Sequence, residues 1–500
     1  MDYKKLQNGS DIRGVALEGI EGQHINLTEE ASRDIGRGFA LWLQKKTGKT
    51  ALRVAVGRDS RLSGEQLCAW LCNSMVKAGL NVTDFGMAST PAMFMSTVTE
   101  GYEFDGSVMI TASHLPFNRN GFKFFTAQGG LESADIKEIL AYAGGDETTG
   151  LPAGELVKGE FMDTYAAILA NKIRTATGED KPLEGYKVVV DAGNGAGGFY
   201  VDKVLKPLGV NTEGSRYLDP DGSFPNHIPN PEDKKAMEAI TEAVNTAKAD
   251  LGIIFDTDVD RAGAVLSDGS ELNRNRIIAM LAAILLREYP GTTIVTDSIT
   301  STGLAKFIEE KGGVHHRFKR GYRNVINESI RLNKAGQDSQ LAIETSGHGA
   351  LKENYFLDDG AYLVTKLLIE LARAKKNGYT LESLIESLEE PAESVEFRMN
   401  ILLDEFKPYG QQVIEELTAY AQTKEGWSLA PSNYEGVRVN LDADHGNGWF
   451  LLRLSLHDPL LPLNIESNDV GGAKKIAAEL AGFIANYDKL AADKFVEFAK

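Results

Sequence analysis

Three stretches of this chain follow one plan: an apolar strand, an aspartate near its end, a small-residue loop, an amphipathic helix, a glycine and a second short strand. They read "LRVAVGRDSRLSGEQLCAWLCNSMVKAGLNVTDFG" from Leu52, "YKVVVDAGNGAGGFYVDKVLKPLGVNTEG" from Tyr186 and "TTIVTDSITSTGLAKFIEEKGGVHHRF" from Thr292. The recurrence predicts three similar α/β domains with mixed sheets. Roughly fifty to sixty residues beyond each start, a further apolar run breaks into a polar loop, as "VMITASH", "LGIIFDTDVDR" and "LAIETSGH". Open α/β sheets bind ligands beyond the carboxyl ends of their strands, so each domain is expected to offer one of these loops to a central cleft.

From about residue 390 the texture changes. "VEFRMNILLD", "GVRVNLDAD" and "GWFLLRLSLHDPLLPLNIES" read as strands beside the helical stretch "GAKKIAAELAGFIANYDKLAADKFVEF", which predicts a C-terminal α+β domain. The expected domains run 1–152, 153–268, 269–385 and 386–500, with a hinge between about 375 and 395.

A chain of 500 residues is too long for one core, which agrees with several domains. No run reaches the ~20 apolar residues of a membrane span, and the start "MDYKKLQNGSDIRG" has no apolar signal-peptide region, so no membrane role is expected. Cys68 and Cys72 lie four apart in an expected helix, unlike a CxxC site, and read as reduced, half-buried thiols of a cytoplasmic protein. A formal charge of −18 argues against nucleic acid and requires that an anionic substrate be held by local Arg and Lys.

In "DTDVDR", Asp256, Asp258 and Asp260 directly follow an apolar run. Carboxylates so close repel unless neutralised, and on one loop they suit a hard cation such as Mg²⁺; Arg261 and Ser267 at the sixth and twelfth positions exclude an EF-hand. "DAGNGAGG" holds a GxGxxG at Gly193, Gly195 and Gly198, but the other two copies of the plan lack it. Its glycines are therefore read as packing devices, with nicotinamide binding as the lesser alternative. Ser113 and His114 are neighbours at a strand end, where side chains ordinarily point apart, and no GxSxG surrounds them. Glu344, Ser346 and His348 alternate in "ETSGH", and Arg453, Ser455 and His457 alternate in "RLSLH"; in extended backbone each set would share a face, the first suited to hydroxyls and proton transfer, the second to an anion.

Together, "SDIRGV", "VAVGRDSRLSG", "TASHLPFNRNGFK", "DAGNGA", "DGSFPNHIPNPE", "DTDVDR", "ETSGH" and "RLSLHDP" resemble, in order, the α-D-phosphohexomutase superfamily, in particular its phosphomannomutase/phosphoglucomutase branch. The resemblance implies a monomeric or homodimeric enzyme that moves a phosphoryl group between the 1- and 6-positions of glucose or mannose phosphate. It makes Ser113 the phosphoryl carrier, with Asp256, Asp258 and Asp260 holding Mg²⁺ against the phosphoserine and hexose 1,6-bisphosphate as intermediate and activator. It implies proton transfer by Lys123 and His348, and support of the phosphoserine by Arg13, His114 and Arg261. Gly321, Tyr322 and Arg323 would distinguish sugars, Glu344 and Ser346 would bind hydroxyls, and Arg453, Ser455 and His457 would hold the other phosphate.

The chain departs from the family pattern in two loops. The phosphate loop commonly reads RxSGTEP, whereas this chain has Leu456, His457 and Asp458 for Gly, Thr and Glu, and Pro462 near the place of a later Arg. The serine loop carries Leu115 and Arg119 where Asn and often Tyr are usual. These changes keep open a phosphoglucosamine mutase, a hexose 1,6-bisphosphate synthase, or a phosphosugar-binding regulatory homologue with little turnover.

Overall fold

The threefold plan folds as parallel strand pairs. In the first copy Leu52–Arg58 lies between Leu80–Met87 and Gly106–Ile110, parallel to both. In the second, Val188–Asp191 is parallel to Leu251–Phe255; in the third, Thr293–Thr296 lies between Val314–Arg317 and Ser339–Ile343. Gly106–Ile110, Val188–Asp191, Leu251–Phe255 and Ser339–Ile343 are buried at every residue, which is why they read as unbroken apolar runs. Antiparallel strands Arg119–Thr126 and Ala262–Leu266 then fold back on Gly106–Ile110 and Leu251–Phe255, making the sheets mixed as expected.

This computed structural model describes residues 2–455 and 458–500, in two compact units. The first extends to Asn273 and includes Ser346–Ser383; the second comprises Arg274–Thr345 and Leu384–Lys500. In the second unit the C-terminal domain is an antiparallel sheet, ordered Trp427–Leu429, Val437–Leu441, Gly448–Leu452, Leu460–Ser467, Glu393–Ile401, Leu490–Ala491. Helices Phe406–Ala421 and Gly472–Ile484 bury its apolar face through Val413, Leu417, Ile476 and Leu480. The final helical stretch is broken: Leu490–Ala491 joins the sheet before Asp493–Ala499 resumes a helix.

The second copy departs most from the plan. Its helix is a π turn, Tyr200–Leu205, continued by a 3-10 turn, Lys206–Leu208, in which Pro207 has no N–H for an α-helical bond. Its last strand is reduced to isolated bridges at Asn211 and Arg216. The GxGxxG glycines are packing devices: a Cβ at Gly195 would stand 2.7 Å from the Thr257 carbonyl oxygen, and one at Gly198 only 2.2 Å from that of Leu218. Gly195 thus brings the loop after Val188–Asp191 against the loop that carries the three aspartates, and Gly198 brings it against Leu218. Cys68 and Cys72 are free and fully buried rather than half-buried, because both face the core from helix Gly64–Lys77. Among the described residues no helix is long and apolar enough to cross a membrane.

His227 pins the glycine loop: its Nε2 lies 3.0 Å from Asp191 Oδ2 and its Nδ1 2.9 Å from the Ile228 carbonyl. Burial lowers the imidazole's pKa, but the Asp191 carboxylate and that carbonyl raise it by more, so the net shift is upward. A raised folded-state pKa contributes stability that is complete below the unfolded value of about 6.5 and is lost as pH rises through the folded value. His227→Gln is therefore expected to lower the melting temperature by roughly 2–6 °C at pH 6 and by clearly less at pH 9. Thermal unfolding of both proteins checks this, and a pH-independent difference would contradict the ion pair.

Candidate active site

The apolar strand Gly106–Ile110 ends one turn before Ser113, whose backbone is left-handed at φ +51°. That conformation is uncommon for a residue with a Cβ and persists only where the surroundings impose it. Here they do. The fully buried Arg61 guanidinium donates to four backbone carbonyls of the loop: Ser113, Leu115 (2.6 Å), Pro116 (2.9 Å) and Arg119 (2.9 Å). Arg13 donates to the Ala112 carbonyl at 3.0 Å while paired with Asp11 at 2.9 Å, and Thr111 Oγ1 accepts from the Ser113 N–H.

The left-handed turn also overturns the expectation that Ser113 and His114 point apart, since their Oγ and Nδ1 atoms are 3.3 Å from each other. Ser113 Oγ donates to Asp256 Oδ2 at 3.0 Å and accepts from Arg261 Nη2 at 3.0 Å. Arg261 Nη2 also reaches His114 Nδ1 at 2.6 Å. A guanidinium only donates, so this imidazole nitrogen accepts and the ring is neutral. Burial first, then the charges of Arg261 and Arg13, push the His114 pKa down to about 3.

The three aspartates converge as expected, because Asp256–Asp260 form a tight turn with Val259 at φ +68°. All three are essentially buried, and one oxygen from each lies within 4.8 Å of the others. Asp256 takes Arg261 Nε at 3.1 Å; Asp258 accepts from the Thr90 hydroxyl; Lys123 Nζ donates to Asp258 at 3.3 Å and to Asp260. Burial, aggravated by Asp260 and Asp258, pushes the Asp256 carboxyl well above the carboxylate range. Burial acts likewise on Asp260, but Lys123, His348 and Arg261 outweigh it and hold that carboxyl below its ordinary value. Asp258 Oδ1 and Asp260 Oδ1 are buried without a hydrogen-bond partner. Two orphaned anionic oxygens on one turn fit a hard divalent cation, whose coordination would replace the missing bonds.

"ETSGH" does not present its residues on one strand face. The strand stops at Ile343, and residues 344–347 turn, with Gly347 at φ +92°. His348, in the first unit, sits against the aspartates: its Nδ1 is 2.6 Å from Asp358 Oδ2 and 3.8 Å from Asp260 Oδ1. Burial alone would lower its pKa, but Asp358 and Asp260 raise it to about 9. Ser346, also in the first unit, is buried with its Oγ unpartnered.

In the second unit, Gly321 adopts φ +113° and opens helix Tyr322–Lys334, which Arg323 also begins. The Gly321 N–H donates to Glu344 Oε1 at 2.6 Å, placing a buried carboxylate at a helix N-terminus, where the peptide dipoles favour negative charge. Arg453 and Ser455 are likewise not on a strand, since Gly448–Leu452 ends before them. Their backbone N–H groups donate to the strand Leu460–Ser467, Arg453 to Pro462 O at 3.1 Å and Ser455 to Leu460 O at 3.0 Å. Pro462 lies within strand Leu460–Ser467, and His457, with Leu456, lies outside the described residues.

Three family models for phosphoglucomutase/phosphomannomutase α/β/α domains match most of the chain: domain I at residues 4–148, domain II at 163–269 and domain III at 273–391. The chain belongs to the phosphoglucomutase/phosphomannomutase family. It is 32% identical over 480 residues to a phosphoglucomutase of Neisseria meningitidis serogroup A, covering 95% of this chain and 96% of that one. It is 32% identical over 462 residues to the phosphomannomutase/phosphoglucomutase of Pseudomonas aeruginosa PAO1, covering 92% of each. A crystal structure of a phosphoglucomutase/phosphomannomutase family protein from Burkholderia thailandensis superposes with TM-score 0.79 at 27% identity, over 98% of this chain and all of that one.

Within a phosphoglucomutase/phosphomannomutase scaffold, three residues of this site had not been singled out from the sequence. Thr90 follows the strand Leu80–Met87 and gives no signal of its own. Asp358 lies in "FLDDG", where an aspartate pair reads as a helix cap, and Asp359 does cap Gly360–Asn377. Arg61 had a legible signal in "GRDSR", but nothing marked it as reaching a loop fifty residues on. Its removal would orphan buried carbonyls and the Asp59 carboxylate beside it. Arg61→Ala should therefore destabilise the first unit by on the order of 3–5 kcal/mol and expose residues 113–119 to amide exchange. Unchanged exchange protection there would refute the tethering role.

Proposed function

We propose that this chain is a phosphohexomutase that reversibly moves a phosphoryl group between the 1- and 6-positions of glucose or mannose phosphate, through a phosphoserine at Ser113 and a hexose 1,6-bisphosphate. The observation that carries this reading is the Ser113 hydroxyl, fixed in a left-handed turn between a carboxylate and a guanidinium beside three buried aspartates. A phosphoserine brings roughly −1.5 to −2 charge, which this loop meets with Arg261 and the cation-suited carboxylates.

Asp256, Asp258 and Asp260 would hold Mg²⁺, with a phosphoserine oxygen as a further ligand. Bound there, the ion withdraws charge from the transferring phosphoryl group. The residues divide the remaining work. In the first half, the phosphoryl group passes from Ser113 Oγ to the free sugar hydroxyl, whose proton goes to a base while Ser113 Oγ takes up a proton as it departs. In the second, Ser113 Oγ gives up its proton as it accepts the other phosphoryl group, and the departing sugar oxygen is protonated. Lys123 and His348 are the proton-transfer groups. His348 is charged at neutral pH with a pKa near 9, which suits delivery of a proton to the departing oxygen.

Arg13 and Arg261 support the phosphoserine, His114 accepts from Arg261 and so fixes the guanidinium, Glu344 and Ser346 take sugar hydroxyls, Gly321–Arg323 distinguish sugars, and Arg453, Ser455 and His457 hold the phosphate that is not reacting.

Phosphorus NMR of the enzyme with Mg²⁺, a trace of glucose 1,6-bisphosphate and glucose 1-phosphate or mannose 1-phosphate tests the reaction: conversion to the 6-phosphate is expected. Ser113→Ala should lower kcat at least a thousandfold, on the scale of losing a nucleophile, while the melting temperature stays within a few degrees. Undiminished turnover in that variant rules the phosphoserine out. A second expected outcome concerns the cation. Asp258→Asn should weaken Mg²⁺ binding at least tenfold in titration calorimetry as well as activity, and an unchanged isotherm would remove Asp258 from the metal set.

A further inference from the structure

The strand Thr293–Thr296 ends, like its counterparts in the other two copies, in a loop at the carboxyl edge of a parallel pair. In this copy the loop, Asp297–Ser301, is clasped by the C-terminal domain. Arg438 Nη1 donates to the Ser298 and Thr300 carbonyls, both at 2.8 Å, and its guanidinium stacks 3.7 Å over Trp449. Three residues earlier, Glu435 reaches the same loop with its side chain. Its Oε2 accepts from Ser298 Oγ at 2.7 Å and from the Arg320 backbone N–H at 2.9 Å. Its Oε1 faces Arg453 Nη1 at 3.6 Å.

The carboxylate thus divides its two oxygens. One holds the segment directly before Gly321–Arg323, and the other faces Arg453. We propose that Glu435 is a positioning residue that sets the sugar-recognition loop and the Arg453 guanidinium in register with each other, and thereby shapes substrate affinity and sugar choice. This rests on the roles given above to Gly321–Arg323 and Arg453.

Each contact supports that task. The Arg320 N–H immediately precedes Gly321, whose own N–H is held by Glu344, so two carboxylates fix successive amides of the turn that opens helix Tyr322–Lys334. Arg453 Nη1 lies too far from Oε1 for a hydrogen bond, so attraction orients the guanidinium without consuming that donor. Its Nε is buried and unpartnered, so the side chain has no other hydrogen bond at that nitrogen to fix its plane. Burial lowers the Arg453 pKa, and Glu435 is the first of the groups that oppose this. An alternative use of the same atoms is a place-holder, in which Glu435 occupies the anion's donors and must be displaced by substrate. The two uses predict opposite signs.

The test uses the full-length enzyme with Mg²⁺ and compares wild type with Glu435→Ala, Glu435→Gln and Ser298→Ala. Positioning predicts that Glu435→Ala raises KM for hexose 1-phosphate about tenfold with kcat changed less than threefold, and shifts the glucose-to-mannose ratio of kcat/KM. Glu435→Gln, which keeps one acceptor oxygen, should recover part of the loss, and Ser298→Ala should show a smaller effect of the same kind. Calorimetric titration with glucose 6-phosphate gives an arm that does not need turnover: weaker binding by Glu435→Ala supports the proposal even if wild type proves inactive, which would remove the mutase reading alone. Unchanged KM and unchanged binding in folded Glu435→Ala overturn the positioning role, and tighter binding replaces it with the place-holder.

Discussion

The Ser113 hydroxyl, the proposed phosphoryl carrier, is held in place by the buried couple of Arg261 and Asp256. Asp256 accepts from the guanidinium through Nε and Nη2, which holds the buried group in place while it still offers an Nη2–H to Ser113 Oγ. The same Asp256 oxygen that accepts from Arg261 accepts from Ser113. Loss of either partner would leave an uncompensated charge in a dry site, the costly outcome for buried ion pairs. Arg261 also anchors outward, to Asn230 Oδ1 at 3.0 Å, so the loop of residues 226–231 is tied to the same point.

That charge arrangement depends on backbone shape. Ser113 lies in the left-handed region, Val259 does so on the opposing turn, and neither is a glycine that would adopt it freely. The strain is held by polar groups that have no other outlet: Arg61 gathers loop carbonyls, Arg13 takes another, and the Thr90 N–H donates to the Asp258 carbonyl at 2.9 Å. The core of the first unit, from Phe39 to Phe124, supplies the rigid floor beneath. In the second unit the logic is the same with other residues, as Glu344 and Glu435 hold successive amides at Gly321 and Arg320.

Much of this was legible because it is periodic or local. Continuous apolar runs marked the buried strands, and three alternating aspartates marked a cluster that their own turn brings together. What failed was the assumption of extended backbone at strand ends. It separated Ser113 from His114, and it placed Glu344 and His348 on one face although one accepts from the Gly321 N–H and the other faces Asp358. Positive φ at Ser113 and Gly347 decides both cases, and a serine gives no sign of it. Arg61 and Glu435 act on segments 55 and 137 residues away, and Asp358 on His348 ten residues before it, so their own stretches gave no sign of these partners.

The account stands on the identity of the phosphoryl carrier. Tandem mass spectrometry of the enzyme after incubation with Mg²⁺ and glucose 1,6-bisphosphate reads it directly, residue by residue. The proposed mechanism predicts one phosphoryl group, on Ser113, that disappears when excess glucose 1-phosphate is added. A phosphoryl group on any other residue, or none on Ser113 under turnover conditions, would contradict it.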